Sequence, residues 1–303
     1  MGSVTALNRK PLNTWEAATD LFLSSRDLSP KSKRVYALTL NRVGDHLPSR
    51  ALNELSPEAL SQALSASYPD AAPNSWNRHI ATLRSFCAFC MKRDFLTGDP
   101  TQTLERRRAP IDHTKALTRA DIDRLWKRKD VPVRDRCLWR MLYETAARAQ
   151  EVLRLNVEDL DREQRRAVTV RKGGAIDTIH WATGTARLLP YVIERRSTGP
   201  VFLSSRPIQQ RRAPAKDDID HETGLARLSY ARAAQSFSSA TEGWTLHQLR
   251  HSALTHLSED GVPLPLLMAK SRHQSLKTLQ RYVHPSAEAV AALTANHDSL
   301  RRR

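Results

Sequence analysis

The chain has 303 residues, enough for two domains with separate cores, and carries a formal net charge of +16 from 48 Lys and Arg against 32 Asp and Glu. Of the basic residues 37 are Arg, whose planar fork suits phosphate, so the balance points to a polyanionic partner, with nucleic acid favoured over a membrane surface. No apolar run nears the roughly 20 residues that span a bilayer, Met1–Pro11 lacks the apolar stretch of a signal peptide, and three cysteines argue against a disulfide scaffold; a cytoplasmic, nucleoid-associated protein is expected.

Residues 12–97 read as an all-α module of short helices. Thr14–Leu23 is amphipathic through Trp15, Ala18, Leu21 and Phe22; Ser29-Pro30 starts Lys31–Leu47, Ser56-Pro57 starts Glu58–Ser67, and Pro73-Asn74 precedes Ser75–Arg93. Ser, Asn and Pro at such starts supply caps and a preset φ. Lys31, Lys33, Arg34, Arg42, Arg78, Arg84 and Arg93 are candidate DNA contacts, with ordinary solvated helix faces as the alternative. Cys87 and Cys90 form a C-x-x-C, but they lie among Leu83, Phe86, Phe89 and Met91 with no second cysteine pair, which predicts buried helix packing rather than a redox or zinc site.

Gly98-Asp99-Pro100 stops that helix, and residues 98–114, with Arg106, Arg107 and Arg108, read as a basic linker; a plain connector is the alternative. Residues 115–303 form the second domain. Thr118-Arg119-Ala120-Asp121 caps its first helix. A β-branched run into Gly173-Gly174 predicts a small antiparallel sheet at about 166–181. Ser204–Glu222, with Arg206, Arg211, Arg212 and Lys216 followed by Asp217, Asp218 and Asp220, reads as a surface insertion or mobile loop. Leu246, Leu249, Ala253, Leu254 and Leu257 recur at helical spacing, Gly261-Val262-Pro263 ends that helix, and a second apolar segment follows at Leu264–Met268. Beyond Tyr282 the tail is helical over Ala287–Leu293 and ends in three arginines, either a solvated end or a segment that docks on a neighbouring subunit.

His247 and Arg250 are three apart, so both fall on one helix face; His273 and Tyr282 follow. Taken singly, each residue type has a plainer reading. Arg148 could pair with Glu144 or Glu151 one turn away, Lys172 could be a turn lysine, and Tyr282 a packing tyrosine. Zinc held by His247, His251, His256 and His273 is disfavoured because no H-E-x-x-H exists and Arg250 would sit in a cationic site.

Taken in order, these residues resemble the tyrosine recombinases of the phage-integrase family. The family's H-x-x-R falls on His247 and Arg250, its L-G-H on Ser271-Arg272-His273, and its nucleophilic tyrosine on Tyr282. Glu144–Leu155 is similar to T-G-x-R-x-x-E-L-x-x-L, which places the first catalytic arginine at Arg148, and the hairpin places the catalytic lysine at Lys172. The likeness spans roughly residues 115–290 and extends to the N-terminal third only in organisation. Two family glycines are replaced, by Ala146 and Arg272; where such a glycine takes a positive φ, a side chain adds strain.

The resemblance implies a mainly α fold with a small antiparallel sheet, an all-α N-terminal core-binding domain and an α+β catalytic domain that close as a C-shaped clamp on DNA. Arg148 and Arg250 would stabilise charge on the non-bridging phosphate oxygens. His247 would accept the proton of Tyr282, whose ordinary pKa is near 10, His273 would donate to the scissile phosphate, and Lys172 would protonate the leaving 5′-oxygen. Glu151 would orient Arg148. The products are a 3′-phosphotyrosine and a free 5′-hydroxyl, with no metal, ATP or other cofactor. Strand exchange through a Holliday junction implies a homotetramer on double-stranded DNA with inverted-repeat core sites, a monomer or weak associate without DNA, and accessory DNA-bending proteins as a further partner class. Only about a dozen residues precede the first helix, which favours simple core sites over arm-bearing ones. Integration or excision of a mobile element and resolution of replicons are the roles considered. The alternatives are a type IB topoisomerase-like enzyme and a catalytically silent DNA-binding protein, the latter motivated by Ala146 and Arg272.

Overall fold

The structure, a computed structural model, describes residues 13–108, 116–170, 174, 176–205, 214–272 and 279. The chain divides into two compact units, residues 1–112 and 113–303.

The first unit is helical among its described residues: α1 (Trp15–Ser24), α2 (Pro30–Gly44), α3 (Pro57–Ser67) and α4 (Pro73–Met91). The hydroxyls of Thr14, Ser29 and Ser56 accept from backbone N–H groups three residues on and so start the first three helices, each such cap being worth about 1 kcal/mol. The fourth begins at Pro73 with no side-chain cap; proline alone sets its entry. Apolar residues at helical spacing bury Trp15, Phe22, Leu40, Leu60, Ile80 and Phe86 in one core, where the Trp15 and Phe86 rings lie 4.7 Å apart. Gly44 is needed there, since a Cβ would stand 2.6 Å from Nε1 of Trp15, which donates to the Leu40 carbonyl. Cys87 and Cys90 are buried in the same core as free thiols.

The segment after α4 is not a loose connector. Leu104 and Thr101 are buried, the Asn77 side chain both donates to and accepts from the Arg107 backbone at 2.8 and 2.9 Å, and Trp76 donates to the Glu105 carbonyl. Residues 101–108 therefore pack along α4 as part of the first unit, and only the remainder of the expected 98–114 linker, from residue 109, lies outside the described residues.

The second unit is built around α6 (Val133–Thr145), which packs against α8 (Thr183–Ile193), α9 (Tyr230–Ala240) and α10 (Leu246–Glu259). Its first helix, α5 (Arg119–Lys127), starts with a reciprocal Thr118–Asp121 capping box, as its sequence predicts. The short α7 (Ala149–Leu153) follows α6, and α11 (Leu264–Ser271) follows α10 across Gly261, whose φ of +76° suits glycine. Three antiparallel strands, β1 (Leu160–Asp161), β2 (Arg166–Val170) and β3 (Ile176–His180), pair in that order with Ala167 opposite Ile179. Ala167, Thr169 and Ile179 face inward, while Val168, Val170 and Ile176 are exposed.

The expectation of a surface insertion at Ser204–Glu222 requires correction over its second half. Asp220 is buried and ion-paired with the buried Arg196 at 3.5 Å, and Asp218 accepts from Arg227 at 2.6 Å. Arg227 also donates to the Leu153 and Leu155 carbonyls, so the acidic residues fasten this segment to the core. Residues 206–213 lie outside the described residues.

Candidate active site

Three stretches of chain meet at one guanidinium. The helix α6 ends at Ala146, whose φ of 49° lies in the left-handed region, and α11 ends at Arg272, with φ of 56°. A left-handed residue is the usual way to stop a helix and turn the chain, and glycine fills it most cheaply. Both departures from the family's glycines thus occupy left-handed positions. From α10, Arg250 reaches both turns: Nη1 donates to the Ala146 carbonyl and Nη2 to the Ser271 carbonyl at 2.8 Å. Its side chain is 2% exposed, so these bonds form away from bulk water. The Thr145 hydroxyl tightens the first turn by donating to Met141 and accepting from Ala147 N.

Arg148 lies two residues after Ala146 and is the N-cap of α7. Its backbone N–H donates to Oε2 of Glu151 at 3.0 Å and its Nη1 to Oε1 at 2.9 Å. Of the two sequence alternatives, Glu151 is the partner, and the carboxylate orients the arginine. Glu144 instead accepts from the backbone N–H groups of Ala182 and Thr185 at the start of α8. Half of the Arg148 side chain remains exposed, which leaves it accessible to a ligand. Glu151 is buried, and burial pushes its carboxyl pKa up, but the donors from Arg148 and Arg272 outweigh this and hold it below the ordinary range.

Arg272 completes the cluster. Its Nη2 donates to Oε2 of Glu151 at 2.8 Å, and its side chain is buried. Burial lowers its pKa while Glu151 opposes the shift, and a guanidinium remains cationic at neutral pH. In the sequence Arg272 stands out only as a departure from a glycine, and a long cationic side chain in a glycine's place is the one signal of this contact. A contact with no signal in the sequence joins Tyr143 Oη to Nδ1 of the buried His256, at 2.8 Å.

His247 stands on the first turn of α10 and is exposed, whereas Arg250 points inward; the shared helix face predicted from their spacing places them at different depths. Lys172, His273 and Tyr282 lie outside the described residues. Among the described residues no three His, Cys, Asp or Glu side chains gather as a metal site would require.

Of the expected DNA contacts, Lys31, Arg34, Arg78, Arg84, Arg106, Arg107 and Arg108 are exposed and Lys33 is partly covered. Two are already engaged within the protein. Arg84 donates to the Leu104 carbonyl at 2.9 Å, and Arg107 stacks 3.8 Å over Trp76 while donating to the Ala71 carbonyl.

This mainly helical chain in two units, the second gathering Arg148 and Arg272 around Glu151, matches known proteins in both units. The family model described as "Phage integrase family" matches residues 115–289, and "Phage integrase, N-terminal SAM-like domain" matches residues 19–94. The chain belongs to the phage integrase family, the family of the tyrosine recombinases. It is 28% identical to the tyrosine recombinase XerC of Mycobacterium leprae, over 91% of this chain and 94% of that one. It is 27% identical to XerD of Listeria innocua, over 70% and 72% of the two chains. The fold is similar to that of lambda integrase in a structure of its tetramer bound to a Holliday junction, with a TM-score of 0.70 at 15% identity over 92% of this chain and 78% of the other. The Tn1549 transposon integrase in complex with circular intermediate DNA gives 0.66 at 14% identity, over 93% and 99%. No described helix is long and apolar enough to cross a membrane.

Proposed function

We propose that this tyrosine recombinase cuts and rejoins DNA at specific core sites through a covalent phosphotyrosine on Tyr282. The observation that carries the reading is the bridge from Arg250 to Ala146 and Ser271, because one side chain ties together the motif segments that bear Arg148, His247 and His273.

The chemistry follows from charge. Attack on a phosphodiester adds negative charge to the non-bridging oxygens, and cations fixed beforehand stabilise it without reorganising. Arg148, oriented by Glu151 and half exposed, offers the phosphate directed N–H donors. Arg250 contributes charge from a buried position and holds the Arg148 turn in place. The oxygen of Tyr282 then displaces the 5′-oxygen, with His247 as proton acceptor, His273 as a donor to the phosphate and Lys172 as the acid for the leaving group. Phosphodiester energy is stored in the new P–O bond, so a free 5′-hydroxyl can reverse the step on the same strand or on a second duplex. Exchange between two duplexes through a Holliday junction calls for a homotetramer, and inverted-repeat core sites suit its symmetry. Integration or excision of a mobile element and resolution of replicons both use this chemistry.

The Arg250 bridge is made with Ala146 and Arg272 in the glycine positions, and this supports a catalytic reading over a silent DNA-binding one despite the strain of their left-handed turns. The test is covalent capture. Wild type and Tyr282→Phe are incubated with DNA fragments from the source genome, denatured, and the protein-linked 3′ ends are sequenced. Adducts formed by wild type alone are expected. Equal recovery from both proteins, or from neither, refutes the phosphotyrosine reading.

A further inference from the structure

We infer that Arg272 is a positioning residue of the phosphate site, which acts through Glu151 to set the charge and orientation of Arg148. The inference rests on the proposed cleavage reaction and deepens it.

Three observations carry it. First, the side chain stands where the backbone least favours one: φ is 56°, and the family motif has glycine at the position. A large residue held there marks a site whose surroundings over-determine it. Second, the side chain turns inward, with about 5% of it exposed, instead of reaching solvent as an arginine ordinarily does. Third, it lands on the same carboxylate that holds Arg148: Oε2 of Glu151 accepts both Nη2 of Arg272 and the backbone N–H of Arg148, while Oε1 takes Nη1 of Arg148.

The consequence is electrostatic and geometric. With Arg148 alone, Glu151 would neutralise the guanidinium that it orients, and the pair would present little net charge to a phosphate. Arg272 offsets the Glu151 carboxylate, so the three side chains of Arg148, Glu151 and Arg272 sum to one positive charge; the Asp177 carboxylate also acts on Arg272 from β3. The second donor on Oε2 also restricts rotation of the carboxylate, which narrows the directions in which Arg148 can present its remaining N–H groups. Arg272 needs no contact with DNA for either effect.

The test is a double-mutant cycle of Arg272→Gly and Glu151→Gln, with Arg272→Lys as the conservative variant, on the core-site DNA recovered by covalent capture. DNA affinity, single-turnover adduct formation and thermal unfolding are read for each protein. We expect Arg272→Gly to bind DNA within about twofold of wild type while forming adduct roughly 10- to 100-fold more slowly, the range for losing preorganised charge or alignment at such a centre. Arg272→Lys should recover part of that rate. In the Glu151→Gln background, adding Arg272→Gly should change the rate less than about threefold, because the path of its influence is gone. Adduct formation by Arg272→Gly at the wild-type rate overturns the inference. So do losses that multiply in the double variant, because a packing role independent of Glu151 behaves that way. If Arg272→Gly fails to fold, the cycle is run with Arg272→Lys and judged by the same criterion of multiplying losses. Absence of any wild-type adduct refutes the cleavage reading itself, an outcome distinct from the others.

Discussion

Replacing Arg250 with alanine separates the architectural part of this site from the chemical part. Each Nη of Arg250 donates to a backbone carbonyl in a buried setting, and a hydrogen bond to a charged group contributes about 1.5–3 kcal/mol. The two bonds share one guanidinium and are not independent, so the combined loss is about 3–5 kcal/mol, part of it from leaving the Ala146 and Ser271 carbonyls unsatisfied. For a unit of the size of residues 113–303, about 2–4 °C of melting temperature accompanies each kcal/mol, which predicts a fall of roughly 6–20 °C. Arg148→Ala provides the contrast. Its side chain is half exposed, which screens its end of the pair, and the buried Glu151 keeps Arg272 as a partner, so a stability loss of about 1 kcal/mol is expected, together with a loss of adduct formation of roughly 100-fold or more. Thermal unfolding by circular dichroism and covalent capture read the two effects. If Arg250→Ala melts within 2 °C of wild type, or if Arg148→Ala is the more destabilised of the two, the reasoning is wrong.

Four further outcomes follow from the first unit. His79, stacked 3.7 Å from the Tyr68 ring, is pulled from 6.5 to about 4 by burial and by Arg78 and Arg42. A base with a depressed folded value contributes stability that is present above pH 6.5 and is lost as pH falls towards 4, about 3 kcal/mol in all, so His79→Phe should flatten that part of the acid-unfolding curve. Burial pushes the Cys90 thiol up to about 12 and that of Cys87 higher still, so neither should react with iodoacetamide in the native protein at pH 7.5, and rapid labelling seen by mass spectrometry would contradict the buried packing. Arg34→Ala and Arg78→Ala should each reduce the slope of log K against log salt for DNA by about 0.9. Arg107→Ala should instead speed tryptic cleavage in 101–108, because its guanidinium holds that segment on Trp76 and Ala71.

Much of the fold was legible because its signals are local. Thr14, Ser29, Ser56 and Thr118 each precede a helix that begins within one residue of the cap, and the β-branched run before Gly173-Gly174 marks β2. The helices α6, α8 and α9 were not singled out, since their burial depends on one another more than on any cap or motif. Within the site, one local contact was legible: Glu151, three residues after Arg148, bonds its guanidinium as the spacing suggests. Depth was not legible: spacing put His247 and Arg250 on one face, yet the surrounding helices bury one and leave the other exposed. Nor could sequence separation reveal that Arg272 meets a carboxylate 121 residues earlier, or that 101–108 packs on α4.

Ala146 and Arg272 depart from glycine in the same way but are sustained differently. A left-handed conformation costs an L-residue about 1–2 kcal/mol. At Arg272 the return is an ion pair. At Ala146 the methyl is fully buried among Ala253, Leu254, Leu267 and Leu279, and burying one such group contributes about 0.8 kcal/mol. Glycine would relieve the strain but lose this contact, and it would add roughly 0.4–1 kcal/mol of unfolded-chain entropy. The terms nearly cancel, so Ala146→Gly should leave stability within about 1 kcal/mol of wild type and preserve the Arg250 bond, which uses only the carbonyl. Urea unfolding measures the difference. A gain above about 2 kcal/mol would show that Ala146 is a strained relic, and a comparable loss would show that its methyl holds the turn more firmly than one buried group can explain.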